Sequence, residues 1–280
     1  MKQFAYFPGC SLATTAKENS RSLQTFCSHF DIKLIELDDW NCCGSSSAHS
    51  INSELGEYLP ARNLSLVRPD HSLLVACPSC FLRLKQAHMK IAGDERAREE
   101  FKKMWNRPFN PDLRIINFFD LLSELADEGA FKNRKKRLNG LKFAPYYGCM
   151  LNRPPSMRHE RNFHGLMEKV LVSLGGEAVP WTNKSLCCGT FLSVSRPQIA
   201  ARSVQTIMDS AYNAGAECIV TACAMCHLNL EIRSRLPGKT PVLHFSELLS
   251  LSEGIGQGRG WFRKHLIDPR PLLKCRRLIA

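Results

Sequence analysis

Ten of the thirteen cysteines in this chain of 280 residues fall into two sets that repeat one pattern. Each set has a single cysteine, then a Cys-Cys-Gly motif, then a Cys-x-x-Cys motif. The intervening lengths are 31 and 33 residues in the first set and 37 and 34 residues in the second. The sets are Cys10, Cys42, Cys43, Cys77 and Cys80, followed by Cys149, Cys187, Cys188, Cys223 and Cys226. Because thiolates are both metal ligands and redox groups, the repeated pattern predicts two sites of metal or redox chemistry.

The number of thiols in each set limits which kinds of metal centre could bind there. Tetrahedral zinc has four ligands, and a cubane iron–sulfur cluster also binds four cysteines. A set of five fits either an iron–sulfur cluster with more protein sulfur than a cubane or a four-ligand metal site beside a redox thiol. Isolated cysteines are common in protein cores. Ten cysteines in two matching patterns argue against simple packing, and a disulfide framework is improbable in a reducing cytoplasm.

Further landmarks recur in the same order in the two halves of the chain, at an offset of about 140 to 146 residues. They are Phe4–Leu12 with Phe143–Leu151, Trp40 with Trp181 ahead of the Cys-Cys-Gly motifs, Val75–Leu82 with Thr221–Leu228, and Arg114–Phe118 with Pro241–Phe245. This order predicts a tandem duplication. We expect an N-terminal domain over residues 1–131, a basic linker over 132–140, a C-terminal domain over 141–253 and a basic tail over 254–280.

Strands and helices are expected to alternate within each half. Apolar strands are predicted at residues 4–7, 33–37 and 72–76, and again at 142–147, 177–181 and 218–221. Helices are predicted at residues 18–30 and 54–66, and again at 163–174 and 197–214. Such alternation is typical of parallel sheets, so the predicted fold is α/β with two tandem Rossmann-like domains. Each cysteine group follows a strand, which places it at the carboxyl edge of a sheet, where ligands bind in open α/β folds.

The net charge of +12 is concentrated in two stretches. Lys132–Arg137 carries five positive charges, and residues 255–280 carry a net charge of +6, so the remaining chain is nearly neutral. This distribution does not predict nucleic-acid binding. Trp261 and Phe262 in the basic tail are interpreted as apolar anchors for a partner protein. The sequence contains neither a transmembrane run nor a signal peptide, which predicts a cytoplasmic protein.

Three motifs resemble one family in particular. Phe7-Pro8-Gly9-Cys10-Ser11-Leu12, Asp39-Trp40-Asn41-Cys42-Cys43-Gly44 and Tyr147-Gly148-Cys149 are similar to the CCG domains of the heterodisulfide reductase B subunit. The resemblance covers about residues 3–250. One departure is Ala224, which follows the first cysteine of the second Cys-x-x-Cys motif, where the family often has proline; the first motif does have it, at Pro78.

The resemblance implies that each five-cysteine set binds a non-cubane [4Fe-4S] cluster and that a disulfide is cleaved between the two clusters. It further implies that electrons arrive from a ferredoxin-like C subunit and a flavin-containing A subunit. The chain itself has no ferredoxin cysteine run and no glycine-rich flavin fingerprint, so a partner is needed. Catalytic roles are predicted for the two Cys-Cys pairs and for His49, a candidate proton donor to a leaving thiolate.

Alternatives remain open on the sequence alone. The alternative function is an electron-relay subunit of a sulfur-oxidising heterodisulfide-reductase-like complex or of a quinone-linked dehydrogenase, and zinc in one half, or in both, is an alternative to iron. Trp40 and Trp181 are expected to pack against the sites, and His227 either tunes a cluster or has a structural role. Among the cysteines outside the sets, Cys27 and Cys218 are predicted core residues, and Cys275 is an incidental thiol.

Overall fold

The computed structural model describes residues 2–151, 163–235, 240–256 and 260–280, and it contains two parallel sheets of four strands each. The first sheet has the order β2-β1-β3-β4 and comprises β1 (Lys2–Phe7), β2 (Ile32–Glu36), β3 (Ser72–Val75) and β4 (Ile115–Asn117). The second has the order β6-β5-β7-β8 and comprises β5 (Lys142–Tyr146), β6 (Glu177–Ala178), β7 (Cys218–Thr221) and β8 (Val242–His244). The matching strand orders confirm the α/β class and the duplication.

Helices lie between successive strands because parallel neighbours require a crossover connection. In the first half these are α1 (Cys10–Ala13), α2 (Lys17–His29), α3 (Ala48–Ile51), α4 (Ser53–Ser65), α5 (Pro78–Ala92), α6 (Glu95–Trp105) and α7 (Phe118–Asp127). In the second half they are α8 (Leu166–Ser173), α9 (Pro197–Asn213), α10 (Ala224–Arg233), α11 (Phe245–Ser252) and α12 (Arg270–Cys275). The predicted helices at 18–30, 54–66 and 197–214 agree with α2, α4 and α9 to within one residue at each end.

The fourth strand of each sheet leads into a capped helix. In the first half Asn117 Oδ1 accepts a hydrogen bond from Asp120 N at 3.1 Å, and Asn117 N donates to Asp120 Oδ2 at 2.8 Å. In the second half His244 N donates to Glu247 Oε2 at 2.8 Å. These reciprocal contacts satisfy backbone groups that a helix start leaves unpaired. The fourth repeated landmark in the sequence is therefore a strand-to-helix junction.

Two predicted elements are shorter than expected. The strand predicted at 177–181 is reduced to β6, because Pro180 has no N–H to donate to the sheet. The helix predicted at 163–174 begins only at Leu166, because Gly165 has φ +85°, a left-handed conformation outside the helical range. No helix in the described ranges is long and apolar enough to cross a bilayer.

The two halves share one hydrophobic core, in which α2 of the first half packs against α11 of the second. Phe119 and Phe245 stack with ring centroids 5.2 Å apart. Within the same seam, the Ser22 and Ser246 hydroxyl oxygens lie 2.6 Å apart, and both side chains are fully buried. The cysteine-bearing halves are thus held against each other by both apolar and polar contacts.

The C-terminal residues fold back onto the body of the protein. Trp261, Phe262, Leu273 and Leu278 are buried, and Arg276 forms an ion pair with Glu217 at 2.6 Å. The interpretation of Trp261 and Phe262 as anchors for a partner is therefore wrong, because their rings are already in the core. Residues 260–280 contribute packing surface even though their charged side chains remain largely outside.

Candidate functional site

Every cysteine of the two sets lies in a loop or helix start that follows a strand. Cys10 begins α1 just after β1, and Cys77 is the residue before α5, just after β3. In the second half, Cys149 follows β5 and Cys223 is the residue before α10. The Cys-Cys pairs follow β2 and β6. Because all strands of a sheet are parallel, these positions converge on its carboxyl edge.

Buried asparagines fix the Cys-Cys loops. Asn63 on α4 accepts a hydrogen bond from Asn41 N and donates to Asn41 O, both at 2.9 Å. In the second half Asn229 on α10 donates to Cys188 O at 2.8 Å. Each loop backbone is thereby tied to a neighbouring helix, which positions the adjacent thiols.

The five thiols of the first set form a continuous group. Cys43 Sγ lies 3.0 Å from Cys80 Sγ, and Cys42 Sγ lies 3.9 Å from Cys10 Sγ. Cys43 also interacts with Cys42, and Cys80 with Cys77. The structure therefore places all five predicted residues of this set at one site.

The second set is arranged in the same way. Cys188 Sγ lies 3.5 Å from Cys226 Sγ, and Cys226 interacts with Cys223. Cys149 interacts with Cys187, whose sulfur also accepts a hydrogen bond from Gly189 N at 3.4 Å. All five predicted residues again lie together.

Burial divides each set into an inner and an outer part. The second cysteine of each Cys-Cys pair and both cysteines of each Cys-x-x-Cys motif are buried. The first cysteine of each pair, Cys42 or Cys187, is exposed, as is Cys10, while Cys149 is half-buried. The same pattern in both halves leaves an open side from which a small molecule or a partner can approach.

Glycines allow the backbone to pass close to the inner thiols. A Cβ on Gly9 would lie 2.8 Å from Cys80 Sγ, and one on Gly148 would lie 3.3 Å from Cys226 Sγ. Both glycines have positive φ, +77° and +68°. A side chain at either position would occupy space beside the sulfur atoms, so the glycine ahead of the first cysteine of each set has a steric function.

The two sets touch each other across the seam between the halves. Hydrogen bonds with Cys223 and Cys80 hold the pKa of the Cys77 thiol well below its ordinary value. Conversely, hydrogen bonds with Cys43 and Cys77 raise the pKa of Cys80. Cys77 is thus biased towards the thiolate, which is the form that binds metals.

A small pocket, open to solvent, lies beside the second set. Its lining includes Cys149, Cys187 and Cys223, and also Pro78 and Ser79 from the start of α5 in the first half. The pocket therefore borders residues of both halves at the place where the two sets meet.

The donor chemistry of each set fits an iron–sulfur cluster. All ten thiols are free of disulfides, and each set brings together five sulfur atoms. Sulfur-only donor sets favour iron–sulfur clusters or zinc, and five exceed the four ligands of tetrahedral zinc. The residues that would hold an iron–sulfur cluster in each half are the five cysteines of that set.

The other predicted residues have different outcomes. His49 lies in α3, but its side chain is outside the part of the chain that the structure describes, so its role stays a prediction. Trp181 is buried, as expected, and its indole N–H donates to Pro145 O at 3.1 Å. Cys27 and Cys218 are fully buried core residues, and Cys275 is exposed, also as predicted.

One polar group was missed by the sequence reasoning. The imidazole of His227 contacts Asn19 of the first half at 2.9 Å and Glu231 at 3.3 Å. The spacing of His227 and Glu231, four residues apart on a helix, was a signal for a shared face. The contact with Asn19 joins residues 208 positions apart and had no such signal.

The fold and the site together define a class: tandem α/β proteins with a five-thiol site at the carboxyl edge of each sheet. The chain belongs to the cysteine-rich domain family, CCG, which matches residues 4–85 and 143–231. The two matched segments coincide with the two repeats, and each contains one complete cysteine set.

Relatives of known name span nearly the whole chain. It is 29% identical over 288 residues to the 8-methylmenaquinol:fumarate reductase membrane anchor subunit of Wolinella succinogenes, covering 97% of this chain and 99% of the relative. It is 24% identical over 272 residues to the B subunit of the ferredoxin/F420H2-dependent CoB-CoM heterodisulfide reductase of Methanosarcina acetivorans, covering 91% and 90%. The predicted resemblance to the heterodisulfide reductase B subunit is thus confirmed, and both relatives are subunits of complexes by name.

A solved structure shares the fold. A hypothetical protein from Helicobacter pylori superposes with a TM-score of 0.71 at 14% identity over 95% of this chain, which spans 52% of that protein. Together, the family and the relatives support a cysteine-rich iron–sulfur redox subunit of a larger oxidoreductase complex.

Proposed function

We propose that this chain is the iron–sulfur subunit of a cytoplasmic heterodisulfide-reductase-like complex in which a disulfide and its thiols are interconverted where the two cysteine sets meet. Each set would hold one [4Fe-4S] cluster of non-cubane type. The observation that carries the proposal is the meeting of the two sets: Pro78 and Ser79, next to Cys77 of the first set, line the same pocket as Cys223 of the second, and the two thiols interact.

The contact between the two cysteine sets is consistent with the two electrons that disulfide reduction requires. Reduction of a disulfide consumes two electrons and two protons and gives two thiols. Iron–sulfur clusters, when bound, supply single-electron transfer. Clusters held in two adjoining sets could each donate one electron to the same disulfide. A single set with a one-electron cluster could not supply both electrons.

The protein residues supply the approach and the positioning. The exposed Cys42 and Cys187 mark the open side of each set, and the pocket lined by Pro78, Ser79 and Cys149 borders both halves. Because the first cysteine of each Cys-Cys pair lies on this open side, we assign catalytic roles to the two pairs. His49 on α3, five residues after Gly44, remains the proposed proton donor.

Electrons would come from partner subunits. The described residues form two thiol sites and no nucleotide-binding glycine loop, so the proposal includes a ferredoxin-like C subunit and a flavin-containing A subunit. The relatives named as B subunits belong to ferredoxin-dependent complexes, which favours such partners.

A second candidate is electron relay in a quinone-linked complex, which the same two sites could perform. It is favoured by the relative from Wolinella, whose name refers to 8-methylmenaquinol and fumarate and which matches this chain nearly end to end. In that case the sites would pass electrons between partners, and no disulfide would be cleaved.

The two candidate functions predict different oxidants for the reduced protein, namely a disulfide for the first and a quinone for the second. The anaerobically purified full chain is reduced with dithionite, freed of excess reductant and mixed with a small disulfide or, separately, with a menaquinone analogue. The proposal predicts release of about two thiols per chain together with a change in the visible absorption as the sites are reoxidised, since a disulfide takes two electrons. A Cys27→Ser variant, which alters a cysteine outside both sets, should behave like the unchanged protein. Oxidation by the quinone with no thiol release would favour the relay function and contradict disulfide chemistry.

A further inference from the structure

A second group of metal-ligating side chains lies beside the second cysteine set and contains no cysteine. His227 and Glu231 are one helical turn apart on α10, and His265 follows the short turn Trp261–Lys264 in the C-terminal segment. All three side chains are at least nine-tenths buried, with exposed fractions of 9%, 3% and 2%. Neither a histidine nor a glutamate stands at the positions of the first Cys-x-x-Cys helix that match His227 and Glu231; these are Phe81 and Lys85.

Two of the three donor–donor distances match those of a tetrahedral metal site, and the third is short enough for the donors to close around one ion. Glu231 Oε1 lies 3.3 Å from His227 Nε2 and 3.1 Å from His265 Nδ1, and the three donor atoms lie within 4.8 Å of one another. Metal–nitrogen and metal–oxygen bonds of about 2.0 Å at tetrahedral angles place neighbouring donors about 3.3 Å apart. The side chains are therefore already close to ligating separation.

Each donor is held from its far side by another group. His265 Nε2 contacts Glu247 Oε1 at 3.0 Å, and Glu231 Oε2 accepts from Leu266 N at 2.9 Å. His227 Nδ1 contacts the Asn19 side-chain amide at 2.9 Å, and a half-turn of that amide would let its oxygen accept the Nδ1 proton. Metal-bound histidines characteristically have such partners, often carboxylates, which fix the ring and its tautomer.

One donor atom is left without a hydrogen bond. His227 Nε2 is buried and makes no hydrogen bond among the described residues, although it lies 3.3 Å from Glu231 Oε1. Buried polar atoms are normally satisfied. This nitrogen lies close to the donor atoms of Glu231 and His265, so a metal ion bound to all three would satisfy it.

A small solvent-open pocket reaches the same three side chains. Its remaining lining includes Thr15, Glu18 and Asn19 of the first half and Lys264. Metal ions therefore have a route to the donors, and a water molecule has room for a fourth coordination position.

We propose that His227, Glu231 and His265 bind one divalent transition-metal ion, with zinc the best match to two imidazoles and a carboxylate. The site goes beyond the proposed function and does not depend on it, because no cysteine contributes. The ion would tie the C-terminal segment to α10, and through Asn19 to the first half. The competing arrangement is a proton on His265 between Glu231 and Glu247, which must leave when a metal binds.

The experiment uses the full chain with its iron–sulfur sites assembled. The protein is equilibrated anaerobically with micromolar zinc sulfate, passed into zinc-free buffer and analysed for zinc and iron, and the zinc shell is measured by X-ray absorption. We expect about one zinc per chain in this site, with nitrogen and oxygen neighbours near 2.0 Å. Glu231→Gln should reduce zinc retention more than tenfold without changing iron content. Glu247→Gln should weaken zinc binding about 10-fold to 100-fold by freeing the His265 ring.

His29→Ala is the matched control. His29 pairs with Glu253 at 3.3 Å but has no third donor nearby among the described residues, so this variant should keep its zinc. Zinc surrounded by sulfur at about 2.3 Å, no zinc retention by the unchanged protein, or full retention by Glu231→Gln would each overturn the proposal. Low iron with intact zinc binding would count against the iron–sulfur function alone.

Discussion

Two glycines control the space around the inner thiols. Gly9→Ala would introduce a Cβ 2.8 Å from Cys80 Sγ at a residue with φ +77°. We expect the variant to lose the iron of the first set, about half of the total, because the methyl group takes space that a cluster needs. Iron and acid-labile sulfide per chain, measured after anaerobic purification, test this expectation.

Gly215→Ala is the control that distinguishes the steric clash with Cys80 from the strain of a left-handed backbone. Gly215 has the same φ of +77°, but a Cβ there would have nothing within 4 Å. Its substitution should cost about 1 kcal/mol of unfolding free energy through the left-handed backbone and leave the iron content unchanged. Equal iron loss in both variants would mean that general destabilisation, and not the approach to Cys80, explains the effect.

At the scale of elements, the packing of α2 against α11 joins the two halves. Ser22 is fully buried in that contact, with its hydroxyl 2.6 Å from Ser246. Ser22→Val would remove a buried hydrogen-bonding group and add a methyl group to a packed seam, which should cost about 1–3 kcal/mol. Because the core is continuous across the seam, we expect one cooperative unfolding transition that moves as a whole in urea.

Ser28→Val is the control on the exposed face of α2. It carries the same change in helix propensity but touches no seam residue, so its free energy of unfolding should change by less than about 0.5 kcal/mol. Two separate transitions, with only one shifted by Ser22→Val, would show that the halves unfold independently and would contradict a shared core.

Among the described residues, local patterns predicted six of the eight strands, which are short apolar runs, but only four of the twelve helices. The ten site cysteines were predictable from their repeated spacing together with the rule that parallel strands end at one edge. β4 and β8 have only three residues each, too few for a periodic signal, although their repeated landmarks were recognised. The pairing of His265 with Glu231 depends on a chain reversal with no counterpart in the first half, so no repeat could reveal it.

At the scale of the whole molecule, the C-terminal segment is part of the folded body. Leu273 on α12 is fully buried, whereas its neighbour Lys274 is exposed. Leu273→Ala should lower the free energy of unfolding by about 2–5 kcal/mol through lost contacts and a cavity, and Lys274→Ala should change it by less than about 0.5 kcal/mol. Chemical denaturation of both variants measures the difference, and an unchanged Leu273→Ala midpoint would restore the interpretation of the tail as a segment that binds a partner protein.

We propose that each five-cysteine set holds its own iron–sulfur cluster, and metal and sulfide analysis of the anaerobically purified full chain tests this proposal. We expect about eight iron and eight acid-labile sulfide per chain, with about half of each remaining in Cys43→Ser and in Cys188→Ser. We also expect full retention in Cys27→Ser, which alters a buried cysteine outside the sets. Iron-free protein with zinc bound by sulfur, or loss of all iron in either single-set variant, would contradict the proposal.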